Sequence, residues 1–437
     1  MHKSSKRPFQ SMTPEAWQNL MLAAVCVFYL AQFGLDLYWH NMCGRLAVDY
    51  CSYWSAGQVA KVSGYPEAYN VAALGQVQKA IFPQGPYSIG VSPTPYLPIF
   101  LMPFAWMSFM GPYVGYWVWT LINVLVLFYY LRMFTAKLTG GPIGKRLLIL
   151  ILLSWPVFLN FLYGQSNLWL MICVGEYLRA MHSSKPMRAG LWLGGVLIKP
   201  QYLILIAIAL LLQRSWRILL GLTLSSIPVL AISYLLVGPK GAVQFIQLMF
   251  GFANGIRASA PEVMMNWRMI GLYLGTLINP AWAWGIALTG LAVTAIGGIY
   301  VWVRSSADAS TYRRGLALLG ILAASQAVAW HSHAASAMML ICPLILLAQP
   351  EYRLAKHALF LWILFPPIAY FLTVVFAVLA HGVTIDLAPT LNLLSAVVPF
   401  AFNIYFLVWS LQAERALPWP HRLVASAAIS SGPQRSE

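Results

Sequence analysis

The feature that most constrains this chain is the recurrence of long apolar runs along its 437 residues. Many of these runs reach about 18 residues, the length that a helix needs to cross a hydrocarbon core roughly 30 Å thick. A backbone in hydrocarbon must satisfy its own hydrogen bonds, and the sequence lacks the alternating pattern of membrane β-barrels. Only 9% of the residues are charged, against roughly 25% in soluble domains. The sequence therefore predicts an all-α polytopic membrane protein with a bundle of about 10–13 transmembrane helices.

The predicted segments follow from the positions of these runs. They lie at 17–39, 95–111, 113–133, 147–163, 165–180, 189–212, 215–237, 283–303, 314–329, 333–349, 357–380 and 389–411. The loop 40–94 has the densest polar content, and its segments 54–62 and 67–82 have the spacing of short amphipathic helices at the membrane surface. The stretch 238–267 is predicted to be a second polar connection.

The formal charge of +16 is explained by the membrane rather than by nucleic acid, because most Lys and Arg lie in short loops. There they orient the protein and meet anionic lipid headgroups. Lys3, Lys6 and Arg7 precede a full-length span without a cleavage site, so the first helix is expected to be a retained anchor. We expect one transmembrane domain over 1–414 and a disordered tail over 415–437, with both termini cytoplasmic.

The loop charges place 40–94, 238–267, 330–333 and 381–388 outside. Simple crossings between 95 and 212 would also place two basic loops outside, against this pattern. Half-length or re-entrant segments at 95–111 and 187–212 would return both loops to the inside, and we favour that arrangement.

A carboxylate base on the outer side has few candidates, because the chain contains 11 acidic residues. The residues expected outside or at the outer boundary are Asp36, Asp49, Glu67, Glu262 and Asp386. Asp49 lies in the aromatic run DYCSYW, where it could deprotonate a sugar hydroxyl while Tyr50, Tyr53 and Trp54 offer stacking faces. Alternatively, Asp49 caps the helix that follows. Asp36 could pair with His40 or serve as an interfacial carboxylate.

Four cationic or donating side chains are candidates for binding a phosphate. Lys199 is bounded by apolar residues and followed by a helix-breaking proline, so it either snorkels or lies in a polar cavity. His331 and His333, next to Trp330, could donate to a phosphate, bind a metal or have no role. Arg268 could bind a phosphate or a lipid headgroup.

The sequence does not decide the role of two amide side chains or the pairing of two cysteines. Gln165 and Asn167 interrupt an apolar stretch, where they could bind sugar hydroxyls or cross-link helices. Cys43 and Cys51 could form a disulfide if their loop faces an oxidising compartment, but spacing alone does not decide it.

Four blocks of the sequence resemble the polyprenyl-phosphate-mannose-dependent α-mannosyltransferases of the GT-C superfamily, glycosyltransferase family 87. The blocks are Asp49-Tyr50 with Tyr53-Trp54, Ala56-Gly57, Gly64, Pro66 and Tyr69; Tyr96-Leu97-Pro98 with Pro103; Gly164-Gln165-Ser166-Asn167 with Gly190, Gly194 and Lys199-Pro200; and Trp330-His331-Ser332-His333. Leu97 is a departure, since the family more often has proline there.

The resemblance implies a GT-C-like fold and an inverting transfer. Together with the loop charges, it predicts a mannosyl transfer on the outer face of a bacterial cytoplasmic (inner) membrane. It implies that Asp49 is the catalytic base, with a polyprenyl-phosphate-sugar donor and a lipid or glycan acceptor. The phosphate would be bound by Lys199, Arg268, His331 and His333. The sugar or acceptor would be bound by Tyr50, Trp54, Tyr96, Gln165, Asn167 and Trp330. We expect neither a cofactor, a metal nor a nucleic-acid partner.

Two other functions are compatible with a bundle of this kind. A transporter or flippase of a lipid-linked sugar would normally have repeated halves, which the sequence does not contain. A non-catalytic assembly subunit could share the fold and lack the base.

Overall fold

The structure is a computed structural model. It describes residues 13–39, 43, 46–81, 91–138, 140–141, 143–254, 263–305, 310–348, 357–364, 368–369, 372, 375, 379 and 388–416.

The described residues form helices and connecting turns, and they contain no β-strand. The α-helices with assigned bounds are α1 (Pro14–Trp39), α2 (Val48–Ser63), α3 (Val71–Ile81), α4 (Pro98–Met107), α5 (Pro112–Leu138), α6 (Lys145–Leu152), α7 (Trp155–Tyr163), α8 (Asn167–His182), α9 (Pro186–Gly194), α10 (Leu203–Leu212), α11 (Trp216–Asn254), α12 (Trp267–Leu277), α13 (Pro280–Arg304), α14 (Thr311–Val328), α15 (Ile341–Leu347) and α16 (Ala388–Ala416). Short 3-10 helices lie at Tyr65–Tyr69, Gly195–Ile198, Pro200–Tyr202 and Ala334–Leu340.

The predicted class, an all-α polytopic membrane protein, is confirmed. Among the described residues, five helices are long and apolar enough to cross a membrane, namely α1, α5, α11, α13 and α16. The pair α6 and α7, bent by 51°, makes a sixth if it is counted as one span. The rest of the apolar sequence in the described ranges includes several helices that are too short to cross alone. The bundle therefore combines long crossings with broken segments.

The broken segments coincide with proline and polar residues inside apolar runs. The predicted segment 189–212 is divided into α9, two 3-10 helices and α10, and the division falls at Lys199 and Pro200. The run 95–111 contains only the ten-residue helix α4, which begins at Pro98. Both segments have the length expected of the half-length alternative, while their orientation in a membrane stays a prediction.

The predicted surface helix at 54–62 is longer and more buried in the structure than the sequence indicates. Helix α2 begins earlier, at Val48, and ten of its residues are buried. Its large aromatic side chains pack into the protein, so α2 contributes to the core, and its position relative to the membrane surface stays a prediction. The predicted segment 67–82 is a 3-10 helix followed by α3, whose exposed and buried positions alternate as an amphipathic helix requires.

The prediction of a polar connection over 238–267 is wrong for its first part, because residues 238–254 belong to α11. Helix α11 is interrupted at Gly238, whose φ of 62° and ψ of −172° favour glycine, but helical structure resumes at once and continues to Asn254. The second part of α11 packs on the Tyr65–Tyr69 helix, where the rings of Tyr69 and Phe245 lie 5.1 Å apart. The pair Gly238-Pro239 therefore changes the direction of a helix instead of ending it.

Within the described ranges, two hydrophobic clusters form the interior. One is built around α2, α4 and the start of α5, and the other around α8, α10, α14 and α15. Leu153, Ile198 and Phe360 pack against both clusters. Ile198 immediately precedes Lys199, so the polar residues considered next lie near the junction of the two clusters.

Candidate active site

The start of α2 is fixed by a disulfide and by a left-handed residue. Cys43 and Cys51, whose pairing the sequence left open, form a disulfide with their Cα atoms 5.7 Å apart. Between them Ala47 has a φ of 60° and donates its backbone N–H to the carbonyl of Leu162 at 2.7 Å. The first turn of α2 is thereby attached to the end of α7, which brings Asp49 to the α7–α8 junction.

Asp49 faces this junction rather than its own helix. Its Oδ2 accepts a hydrogen bond of 2.6 Å from Nε2 of Gln165. The predicted helix-cap alternative is wrong, because the N-cap position is Ala47, which makes no side-chain capping bond, and Asp49 lies inside the first turn. Burial raises the pKa of Asp49 above its ordinary value, against the lowering effects of the Gln165 hydrogen bond and the charge of Lys199. A carboxylate with a raised pKa is a stronger base.

The α7–α8 junction is shaped by Gly164 and Asn160. Gly164 has a φ of 68°, and a Cβ on it would lie 2.5 Å from Cβ of Tyr50, so both backbone conformation and space favour glycine. The backbone N–H of Gln165 donates to the carbonyl of Asn160 at 2.8 Å. The backbone N–H of Asn167 donates to Oδ1 of Asn160 at 3.0 Å. These bonds direct the Gln165 and Asn167 side chains toward Asp49 and Lys199.

Lys199 is buried among amides and does not snorkel. Its side chain stands at the break between α9 and α10, with 8% of the residue exposed. Its Nζ donates to Oδ1 of Asn167 at 2.8 Å and to Oε1 of Gln165 at 3.4 Å. The ring of Tyr96 lies 5.9 Å from the same nitrogen. The structure therefore connects Asp49 to Lys199 through two amide side chains.

The His331 and His333 rings contact each other edge to face, with centroids 4.7 Å apart and planes at 83°. The carbonyl of His331 accepts a hydrogen bond of 3.3 Å from Nε2 of Gln201, two residues after Lys199. Burial lowers the pKa of His331 well below its usual range, and the nearby charges of His333, Lys199 and Arg268 lower it further. The nearby positive charges disfavour a charged imidazole, and an anion bound beside them would reduce that effect.

Arg268 reaches the same region from α12. Asn266 caps that helix, accepting the backbone N–H of Met269 at 3.0 Å, and donates to the carbonyl of Ala329 at 2.9 Å. The Arg268 guanidinium is buried, with its Cζ 4.9 Å from the ring of Trp330. Trp330 keeps 38% of its surface exposed. Sequence reasoning missed Asn266 and Asn160 as positioning residues, since an amide side chain has no sequence signature until its partners are known.

The aromatic residues after Asp49 divide between core and site. Tyr50 is fully buried, with its ring against Phe104 and Tyr116. Trp54 is also buried, and its Nε1 donates to the carbonyl of Met110 at 3.0 Å. Their role as sugar-stacking faces stays a prediction, and both rings belong to the hydrophobic core in this structure.

Tyr53 and Tyr96 lie closer to Asp49. Their hydroxyl groups are 3.1 Å apart. Burial raises the pKa of both phenols, and the nearby charge of Asp49 raises it further. The helical period explains the division, because i+4 shares a face with residue i whereas i+1 and i+5 do not. Tyr53 is therefore the aromatic neighbour on the Asp49 face of α2.

The other acidic candidates do not join this group within the described residues. Glu67 is paired with Lys240 at 2.7 Å. The side chain of Asp36, with His40, Glu262 and Asp386, lies outside the described residues. In the described ranges, no three His, Cys, Asp or Glu side chains are grouped as a metal site would require.

The arrangement combines a partly buried carboxylate with cationic and imidazole side chains. It suits a reaction in which one group loses a proton and another leaves as an anion. A family model described as glycosyltransferase family 87 matches residues 94–350, more than half of the chain. The match includes Gln165, Asn167 and Lys199 but begins after Asp49. Searches of curated proteins and of solved structures found no significant match.

Proposed function

The chain belongs to glycosyltransferase family 87 and is a membrane glycosyltransferase, and from this premise we propose its donor, mechanism and location. The donor is a sugar, mannose in our proposal, linked to a polyprenyl phosphate. The acceptor is a hydroxyl group of a lipid or glycan. The reaction takes place on the outer face of a bacterial inner membrane, in a fold of the GT-C type.

In the proposed step, Asp49 removes the proton of the acceptor hydroxyl as its oxygen attacks the anomeric carbon. A bond forms between that oxygen and the anomeric carbon while the bond from the carbon to the carrier phosphate oxygen breaks. The electron pair leaves with the phosphate, and the proton stays on Asp49. A single attack from the face opposite the leaving group inverts the anomeric configuration.

The leaving phosphate requires fixed positive charge and hydrogen-bond donors. Lys199 and Arg268 are buried cations, and His331 and His333 have adjacent imidazole rings. Groups already oriented toward developing negative charge stabilise a transition state without reorganising during the reaction. These four side chains would hold the polyprenyl phosphate, and protonation of an imidazole would add charge as the leaving group develops.

A lipid-linked donor agrees with the setting of this site. A polyprenyl phosphate is dissolved in the membrane, with its phosphate at the interface, and the outer side contains no nucleotide sugars. Trp330 has an exposed ring beside Arg268, where it could stack on a sugar.

One observation supports the proposal above the others. Asp49, Gln165, Asn167 and Lys199 come from three segments of the chain, and hydrogen bonds of 2.6 to 3.4 Å connect them near His331. The carboxylate and the ammonium group lie close together without direct contact. This arrangement suits a reaction in which the carboxylate accepts a proton and the ammonium group stabilises an anionic leaving group.

The test is Asp49→Asn, which keeps the shape of the side chain and removes the base. Purified protein in vesicles would receive a polyprenyl phosphate with a radiolabelled sugar and a lipid acceptor. We expect transfer to fall by about 10²- to 10⁴-fold, while binding of the polyprenyl phosphate is kept within about twofold of the unmodified protein.

Measuring free polyprenyl phosphate separates the alternatives. A glycosyltransferase releases the carrier, whereas a flippase moves the sugar-linked lipid across the membrane intact. Full transfer by the Asp49→Asn protein would contradict the assignment of the base.

A further inference from the structure

We infer that Gln165 and Asn167 are positioning residues that hold Asp49 and Lys199 apart in a fixed orientation, rather than ligands of the sugar. The inference rests on the proposed function, because it assigns Asp49 a proton to remove. We call the pair of amide side chains, Gln165 and Asn167, the spacer.

The direction of the hydrogen bonds in the spacer is determined by its two ends. An ammonium group only donates and a carboxylate only accepts. Lys199 therefore donates to Oδ1 of Asn167, Nδ2 of Asn167 donates to Oε1 of Gln165, and Nε2 of Gln165 donates to Asp49. Each amide turns its acceptor end toward the cation and its donor end toward the carboxylate. Both charges are stabilised by aligned dipoles.

The separation keeps both charged groups available for chemistry. In direct contact, Lys199 and Asp49 would form a buried ion pair, with the ammonium group bound to the oxygen that must accept a proton. With the spacer in place, the Asp49 carboxylate accepts one hydrogen bond from the described residues, on Oδ2. We infer that Oδ1 receives the proton of the acceptor, and that Lys199 meets the phosphate.

The spacer amides have little hydrogen-bonding capacity left for a sugar. Oε1 of Gln165 accepts from both Asn167 and Lys199, and Nε2 donates to Asp49. Asn167 is fully buried and Gln165 is 7% exposed. Their backbone is held by Asn160 from the preceding helix. Buried amides that are already paired inside the protein are expected to serve as structure rather than as a binding surface.

The experiment replaces Gln165 by Met, which has a similar length and no hydrogen-bonding group, and measures transfer as a function of pH. The charged and titratable groups facing Asp49 are Lys199, Tyr53 and Tyr96. Loss of a hydrogen bond to a charged group should lower kcat about 10- to 100-fold. Because this bond lowers the pKa of Asp49, its loss should move the acidic limb of kcat to higher pH, with KM for the donor nearly unchanged.

Two further variants keep the test decisive. Gln165→Glu places a second carboxylate beside Asp49, so its acidic limb should move further toward high pH than that of Gln165→Met. Gln213→Met is the matched control, since Gln213 donates to the carbonyl of Trp302 at 2.8 Å, away from the site. That control should leave kcat and the pH profile unchanged.

A sugar-ligand role for Gln165 predicts a different result. In that case KM for the sugar substrate would rise and the acidic limb would stay in place for both Gln165 variants, which would overturn the spacer. Asp49→Asn measured in parallel separates this failure from failure of the proposed function, because full activity of that variant removes the base itself.

Discussion

Opposite charges lie close together in two regions, one at each end of α14. In one region the charged groups are in direct contact, and in the other they are connected through amide side chains. Near the start of α14, Arg313 contacts Glu414 of α16 directly, with Nε 2.9 and 3.0 Å from the two carboxylate oxygens. Arg304 of α13 approaches the same carboxylate at 3.8 Å. Beyond the other end of α14, near His331, the described residues join Asp49 to Lys199 through the spacer and not by direct contact.

The difference separates a structural ion pair from a reactive one. Glu414 is fully buried and accepts hydrogen bonds from both Nε and Nη2 of the Arg313 guanidinium, so its charge is compensated and α13, α14 and α16 are held together. Asp49 is only partly buried, and its negative charge is connected to the positive charge of Lys199 through the spacer instead of by direct contact. A carboxylate bound directly to arginine is a poor base, whereas one held by an amide keeps an oxygen for a substrate. Three substitutions test this comparison.

The largest effect is expected from Glu414→Leu, which removes one partner of the buried pair. The Arg313 guanidinium would be left without its carboxylate, at an expected cost of about 3–5 kcal/mol in the free energy of unfolding. Activity per folded molecule should be unchanged. Unfolding in detergent micelles measures the loss, and Gln412→Leu at an exposed position of the same helix is the control. Normal stability with lost activity would reverse the roles of the two regions.

A smaller effect, on rate and not on folding, is expected from Lys199→Met. Removing one donor that stabilises developing negative charge typically costs about 10²- to 10³-fold in kcat. The long apolar side chain fills the same space, so the thermal unfolding temperature should change little. Transfer assays and unfolding curves on one preparation compare the two quantities. A large loss of stability with normal kcat would make Lys199 structural, like Arg313.

The smallest effect is expected at His331, whose pKa is held well below its usual range. Burial and the charges of His333, Lys199 and Arg268 disfavour a charged imidazole, so His331 should take up a proton when an anionic phosphate offsets those charges. Calorimetry near pH 6 in buffers of different ionisation enthalpy should therefore record proton uptake when polyprenyl phosphate binds. His331→Gln should abolish this uptake and weaken binding about five- to tenfold. Uptake that persists in the variant would assign the proton to another group.

The sequence predicts the long apolar helices well and the interrupted ones poorly. α1, α13 and α16 lie close to the predicted ranges because a long apolar run in a membrane has few alternatives to a helix. The second half of α11 was missed because Gly238-Pro239 has the signature of a turn, and its polar residues suggested a loop. The depth of α2 was missed because burial depends on α4, which follows about fifty residues later in the chain.

The residues of the candidate site could be named in advance, but their connections could not. Scarcity of acidic residues singled out Asp49, and an isolated lysine in an apolar run singled out Lys199. Pairing of Gln165 with Asp49 depends on the left-handed backbone of Gly164 and on the bonds to Asn160, which are tertiary features. The catalytic roles themselves remain predictions.

The most direct test of the central claim is a structure determined with polyprenyl phosphate bound. The account predicts phosphate density within hydrogen-bond distance of Lys199 and of Arg268 or His331, with the Gln165–Asp49 bond intact. Phosphate bound elsewhere, or Asp49 moved into direct contact with Lys199, would contradict it.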